Sequence, residues 1–533
     1  MIKALNRKQG LVLYVLCMAQ FTLSADIANL SISTSTLVDV FQTNIAAIQV
    51  LGSVQPLIGA ALMLSASMLG LRVGWRKLLI TGAVFGLAST LGFLIFESIT
   101  VLTLLIRPLA GIASALILPS VLALVVAHCK GKSRAMGFGL IAASTGFAAA
   151  IIPLLSGWLY DNADWQWPFI IIGACYLTTL LGAIFKVQPL HTQVNAKFDY
   201  FGAILAACSI VLLFIGILKA PTWGLFLAPK PYVFSPWLQL LMPLSPAFVC
   251  KLIGGCLLIV FVLQQIRFGQ KYGRSLLPID WFKNTLCRRG FLILALMYLV
   301  LGGSSFVIVT YLQVALSLSG SHSGSIILLF SVFMIGFSIA TPILFKTLQP
   351  RNVCQLAFTS IALSACLLLI FSNSNGISIG FYLGMILLGT AMGMLASQCP
   401  VIITEALGTE EAEQSGGLQA TLRNVGMVVG LTLFGGVNQY FMELDVRNNI
   451  DSILVMELQL DFDQISTVPY LSDQQVLEIS NHYSLSPEVV EKLKELKGKA
   501  RVKGFNCAML LVLICSLLGF ELSRRLSPGL SNR

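Results

Sequence analysis

Apolar residues run along this chain in long blocks, and polar residues are concentrated at the joints between them. Fourteen blocks stand out, at about 11–36, 46–70, 78–97, 99–127, 135–160, 167–186, 198–219, 247–266, 290–316, 323–346, 352–372, 376–404, 415–442 and 504–522. A helix crosses the hydrocarbon core of a bilayer with about 20 apolar residues at about 1.5 Å rise each. The pattern therefore predicts an all-α polytopic membrane protein with 14 transmembrane helices. Blocks 1, 2, 4, 5, 9, 12 and 13 are longer than the core requires, which predicts tilt or extension beyond it.

The joints give an orientation. Lysine and arginine crowd every second joint: Arg72, Arg76 and Lys77; Lys130, Lys132 and Arg134; Arg267 through Arg289; and Arg524 and Arg525 near the end. The short joints opposite hold only Lys219, Lys230 and Lys251. Positively charged short loops stay in the cytoplasm, so both termini are expected there. The long joint 443–503 lies outside by parity despite its basic run, because long loops cross largely regardless of charge. Within it, "SPEVVEKLKELKGKA" reads as a solvated amphipathic surface helix with Ser486 as N-cap and Pro487 in the first turn. Docking of a periplasmic partner is the sharper reading of the same stretch. The joint 220–246, rich in Pro and Trp, suits an interfacial segment.

Composition narrows the class. Of 533 residues, 56% are hydrophobic and 11% charged, against about 25% charged in soluble domains, and mean hydropathy is +0.86. A formal charge of +11 could suggest a nucleic-acid partner, but the basic residues sit in the short joints, so none is expected. Twelve cysteines lie in apolar blocks or at their ends, with no CxxC or Cys/His spacing; neither a disulfide framework nor a metal is expected. The first block runs far past signal-peptide length, which argues against cleavage. Only four histidines occur, in or near joints, with no acid or nucleophile at motif spacing; the chain is not expected to be an enzyme.

Three charges remain inside apolar blocks: Asp26, Arg107 and Arg423. An arginine in hydrocarbon costs about 2.5–3.5 kcal/mol even on lenient scales, and such residues face cavities or partners and mark substrate or proton paths. Asp26 lies roughly 22 Å from the cytoplasmic start of its helix, and Arg107 roughly 12 Å from the outer start of its own. In a core about 30 Å thick these heights nearly coincide, so the two can pair. Burial raises a carboxyl pKa and a neighbouring arginine lowers it, so the acid can exchange a proton when its partner moves. Arg423 sits about 13 Å deep, in either a substrate or a structural role. Asn29, one turn from Asp26, and Gln313, Asn438 and Gln439 are polar residues in apolar helices, suited to interhelical hydrogen bonds or ligand contact. Asp199 and Glu405 suit structural places at helix ends. Pro153 implies a kink that could serve as a hinge.

These stretches resemble the major facilitator superfamily, and within it the fourteen-helix drug:proton antiporter branch. "LSADIANLSIS" is similar to the branch's first-helix motif, with its buried acid at Asp26. "LLIRPLAGIASA" resembles the fourth-helix motif, with Arg107 and Gly111. "IIPLLSGW" resembles the fifth-helix antiporter motif at Pro153 and Gly157, although Ile152 and Ser156 stand where the motif has glycines. "EQSGGLQATLRNVGMVVGLTLFGG" resembles the thirteenth helix, with Arg423 and Gly426, and "KFDYFGAILAACSIVLLFIGI" resembles the start of the additional helix pair. The loop "SMLGLRVGWRK" keeps Arg72 and Gly74 of its motif, but Leu71 replaces the acid and Ser67 a glycine, which removes the usual charged cytoplasmic latch.

The resemblance implies two six-helix bundles, 11–186 and 290–525, joined by a linker, 187–289, that carries two further helices. It implies efflux of amphipathic compounds across a bacterial inner membrane by alternating access, driven by protons through Asp26 and Arg107, with no cofactor. Asn29, Gln313, Arg423 and Asn438 are the expected cavity residues. Arg72, Gly74, Gly111, Pro153, Gly157 and Gly426 are the expected gating residues. Expected partners are the bilayer, protons and a small amphipathic substrate, with a periplasmic adaptor and an outer-membrane channel as candidates. One acid against two arginines leaves no second carboxylate for a dication, so monovalent lipophilic cations, neutral amphiphiles or anionic amphiphiles are favoured. An exporter of one metabolite or siderophore is the alternative, and a non-transporting sensor a remote one.

Overall fold

The computed structural model describes residues 7–526 except 44, 130–131, 190–196, 225, 228–243, 319, 346, 375 and 451–486. Among the described residues, 14 helices are long and apolar enough to cross a membrane. We number them α1 (Arg7–Ile32), α2 (Ile45–Val73), α3 (Trp75–Ile95), α4 (Ile99–His128), α5 (Lys132–Asn162), α6 (Trp167–Phe185) and α7 (Tyr200–Leu218). There follow α8 (Pro246–Tyr272), α9 (Thr285–Ala315), α10 (Gly320–Leu344), α11 (Pro350–Phe371), α12 (Ile379–Gly408), α13 (Glu411–Asn449) and α14 (Pro487–Arg524). They correspond one to one with the fourteen apolar blocks.

In the first half, α1 packs on α5 and α6, and α4 on α2 and α3. In the second, α9, α10 and α11 pack on the α12–α13 pair, and α14 closes against α11. The additional helices α7 and α8 pack on each other, and α7 also leans on α2. Asp199 caps α7 by accepting from the Gly202 amide at 2.8 Å, and it accepts from Gln264 and Gln265 of α8 at 2.9 and 2.6 Å. The structural place expected for this acid is where it is found.

The starts of α1, α9 and α11 and the ends of α4 and α14 meet at one face, which we call the termini face. There Gln9 donates to the His128 carbonyl at 3.1 Å, and Arg351 to the Leu526 carbonyl at 3.3 Å. Arg289 likewise donates to the Arg525 carbonyl.

The end of the chain differs from the expectation. The stretch expected as a separate surface helix is continuous with the last apolar block, so that α14 has 38 residues. α13 spans 39 residues. At helical rise these are rods of about 57 and 58 Å, against a core of about 30 Å. Both are anchored at the termini face, so the excess projects from the far face.

The reason is packing. Leu493, Leu496 and Ala500 are buried, as are the basic side chains of Lys497 and Arg501. Glu488, Lys492, Glu495 and Lys499 form the wet edge, with ion pairs Lys492–Glu488 at 3.2 Å and Lys499–Glu495 at 2.6 Å. Lower down, α14 abuts α13 at Gly504, where a Cβ would stand 2.5 Å from the Asn438 carbonyl oxygen. The Phe505 ring stacks on Tyr311 at 4.3 Å. The N-cap reading of Ser486 and most of the Pro/Trp-rich joint lie outside the described residues.

Candidate functional site

Midway through the first half, four helices meet around one carboxylate. Asp26 of α1 and Arg107 of α4 have side chains that are 2% exposed, and they pair directly, Nη1 to Oδ1, at 2.8 Å. The opposite depths read from the sequence converge as expected. The chain arranges this locally in two ways. Pro108 has no N–H to give the preceding turn, and the helix widens into a π turn over Leu102–Ile106 just before Arg107, a distortion that recurs at functional sites. Ser89 of α3 donates to the Ile106 carbonyl at 3.1 Å. Gly111, one turn on, brings α2 and α4 to backbone contact: a Cβ there would lie 2.6 Å from the Ile58 Cβ and 3.2 Å from the Gln55 carbonyl oxygen.

That contact brings in Gln55, which the sequence reading had not singled out. Its Nε2 donates to Asp26 Oδ2 at 3.2 Å, and its Oε1 accepts from Arg107 Nη2. Tyr176 of α6, also missed, donates to Asp26 Oδ2 at 3.3 Å. The guanidinium lies over the Phe93 ring, 5.9 Å from its centroid, and Phe93 stacks on Phe169 at 4.4 Å. The pair is thus enclosed by protein on every side rather than set in a wet crevice. The carboxylate accepts three hydrogen bonds, one of them from a guanidinium, the pairing that a buried charge requires.

The other expected residues disperse. Asn29 is fully buried and accepts from Tyr160 of α5 at 2.9 Å, and its Nδ2 bonds to nothing among the described residues. Arg423 is half-buried, with its guanidinium over the Tyr298 ring of α9 at 5.2 Å. Gln313 is exposed, in the π turn that ends α9. Asn438 lines a narrow crevice with Thr310, Tyr311, Met442 and Arg501, between α9, α13 and α14. Of the four expected cavity residues, only Asn29 lies near the pair.

The expected gating positions divide similarly. Gly74 caps α3 at φ +104°, and Arg72 beside it is exposed. Gly426 packs on α9, where a Cβ would stand 2.7 Å from the Ala295 carbonyl oxygen. Around Gly157 there is open space, and α5 stays helical through Pro153.

At the termini face the two halves touch. Leu71, in the place of the motif acid, is buried, and Ser67 packs so tightly on α13 that a Cβ on Gly417 would lie 2.3 Å from the Ser67 Cβ. The Trp75 ring folds back over Gly70, and its indole N–H donates to Glu413 Oε2 of α13 at 3.2 Å. On the other side of α13, Trp281 donates to Glu411 Oε2 at 2.9 Å, and Gln414 donates to the Ser275 carbonyl at 2.7 Å. The start of α13 follows the break at Gly408 (φ +75°), and acids at a helix start are favoured by its dipole. In this contact the acid stands on the second half, and the first half supplies a neutral donor.

Comparisons with known proteins agree with this architecture. A family model described as Major Facilitator Superfamily matches residues 16–431. The chain belongs to the major facilitator superfamily. It is 22% identical over 383 residues to a "Probable actinorhodin transporter" of Streptomyces coelicolor, an alignment covering 70% of this chain and 63% of that protein. It is 25% identical over 381 residues to the "Tetracenomycin C resistance and export protein" of Streptomyces glaucescens, covering 70% of this chain and 66% of the relative. The alignments thus span somewhat less than two thirds of each of these relatives. Among solved structures, the human organic anion transporter MFSD10 superposes with a TM-score of 0.58 at 11% identity, covering 97% of this chain and 100% of that one. Fold and family are those of transporters: this is a multi-pass integral membrane protein, related at low identity to drug and antibiotic exporters.

Proposed function

We propose that the protein is a proton-coupled antiporter that exports amphipathic compounds across a bacterial inner membrane, with both termini in the cytoplasm. The buried Asp26–Arg107 pair carries this reading. A carboxylate and a guanidinium held at 2.8 Å deep within apolar helices form a costly arrangement that a purely structural helix contact does not need. The relatives named for antibiotic transport and resistance support the export direction and the chemical class. The halves 11–186 and 290–525 rock about the centre, and α7 and α8 ride on the first. Contact between α2, α4 and α13 at the termini face closes the cytoplasmic mouth in this conformation. Protonation of Asp26 removes the charge that ties α1 to Arg107 of α4 and favours the opposite tilt. Of the three intramembrane charges the one acid is committed to Arg107, which leaves none of them to balance a dication, so lipophilic monocations, neutral amphiphiles and anionic amphiphiles fit, and dications do not. Where a second membrane surrounds the cell, a periplasmic adaptor and an outer-membrane channel would complete the route.

The test uses purified protein in liposomes with an imposed pH gradient and a fluorescent lipophilic monocation. The expected result is gradient-dependent dye movement that Asp26→Asn abolishes. Equal movement with and without the gradient, or full activity in that variant, would falsify the reading. Growth protection against a dicationic disinfectant, lost with the gene, would overturn the substrate class alone.

A further inference from the structure

We infer that Gln55 is a positioning residue of this site: it keeps hold of Arg107 when Asp26 takes a proton. The inference rests on the proton-coupling reading and extends it to a residue that no motif marks.

The amide orientation follows from chemistry. Arginine offers only donors and an ionised carboxylate only acceptors. Gln55 touches both at once, so Oε1 must face Arg107 and Nε2 must face Asp26, as found. While Asp26 is ionised, Arg107 has two acceptors, the carboxylate and the amide oxygen. Once Asp26 is neutral, the carboxylate charge is gone. Arg107 Nε is buried and bonds to nothing among the described residues, and Phe93 lies beneath the guanidinium. The Gln55 oxygen then becomes the principal acceptor left to a buried cation. The amide is also built to travel with the arginine, because α2 and α4 are in close contact at Gly111 and again at Gly59, where a Cβ would stand 2.4 Å from the Ser114 hydroxyl. Asp26 stands on a different helix. The proton itself has a place to go: Tyr176 is the neighbour whose hydroxyl can turn from donor to acceptor.

The groups that face Asp26 are few. α4 presents Arg107 and α6 presents Tyr176. α2 presents Gln55, and Phe93 of α3 lies under Arg107 rather than against the acid; neither side chain titrates. On α5, Tyr160 bonds Asn29, one turn away.

Two substitutions separate the two ends of the amide. Gln55→Leu takes a donor from the carboxylate and an acceptor from the cation, two losses of opposite sign for protonation; what singles out the acceptor is that its loss should cost more once the carboxylate charge is gone. Gln55→Glu gives Arg107 a second carboxylate and sets a like charge beside Asp26, so protonation becomes easier.

The experiment follows the infrared carboxylic-acid band of Asp26 against pH in the purified full-length protein, with Asp26→Asn as the blank. Relative to the parent, the midpoint should rise by about one pH unit in Gln55→Glu, and Gln55→Leu should lower the melting temperature more in the Asp26→Asn background than in the parent. A parent that titrates while Gln55→Glu stays unshifted, or a Gln55→Leu that costs no more in the Asp26→Asn background than in the parent, overturns the role of Gln55 and leaves the antiport reading standing. A parent band that never titrates removes both. Gln55→Glu retains the size and polarity of the side chain, so its shift remains readable if the leucine variant folds poorly.

Discussion

Arg107 and Arg423 both lie within apolar helices of this protein, and they are solved differently. Arg107 is sealed among four helices, and it is matched by a carboxylate, an amide and an aromatic face. Arg423 is half-buried, and the partner found for it is the ring of Tyr298. Burial sets the demand: a sealed cation needs a counter-charge, whereas one that keeps contact with solvent or substrate can rest on a π face. The first half therefore holds a closed circuit of charge. The second holds an open one, with the Arg423 guanidinium resting on an aromatic face.

The largest break in this contrast should come from Asp26→Asn, which leaves Arg107 with neutral acceptors in place of its counter-charge. Loss of one partner of a buried pair costs about 3–5 kcal/mol, so both gradient-driven export and the melting temperature in detergent should fall sharply. Arg107→Lys should be nearly as damaging to export. One ammonium cannot hold Asp26 and Gln55 in the same fork geometry, and initial transport rates should fall at least about tenfold, the equivalent of about 1.4 kcal/mol. Arg423→Lys should retain most activity, and Arg423→Ala should lose an interaction worth about 0.5–2 kcal/mol. Combining the latter with Tyr298→Leu should be clearly less than additive in transport rate. If Arg423→Lys were as damaging as Arg107→Lys, the contrast would collapse. The smallest effect belongs to Trp75→Phe, which keeps the ring over Gly70 but removes one neutral donor to Glu413, worth about 1 kcal/mol. Hydrogen exchange in the first turns of α13 should accelerate modestly in that variant, with little change in melting temperature.

Much of this was legible before the coordinates. Runs of apolar residues specify membrane helices because the bilayer demands a fixed length, so all fourteen elements could be read. Charges in hydrocarbon are costly enough to stand out, and equal depths from opposite faces brought Asp26 and Arg107 together. What escaped was of lower contrast. Gln55 is a single amide in an apolar block, no more conspicuous than Gln313, which proves exposed. Tyr176 offers one hydroxyl on an otherwise apolar ring. The missing acid at Leu71 announced that the usual latch was gone, but nothing in a linear chain pairs Trp75 with Glu413, 338 positions away. The amphipathic run before the last block was misjudged because its charges looked solvated. Lys497 and Arg501 are in fact buried, and the helix continues through them.

That continuity gives the second half a long lever. A rod of about 58 Å pivoting at its base through about 15°, the size of rotation by which packed subunits are known to switch, carries its tip roughly 15 Å. In the rocking motion proposed above, a small displacement at the foot of the rod is multiplied along its shaft, and the indoles of Trp75 and Trp281 grip that foot through Glu413 and Glu411.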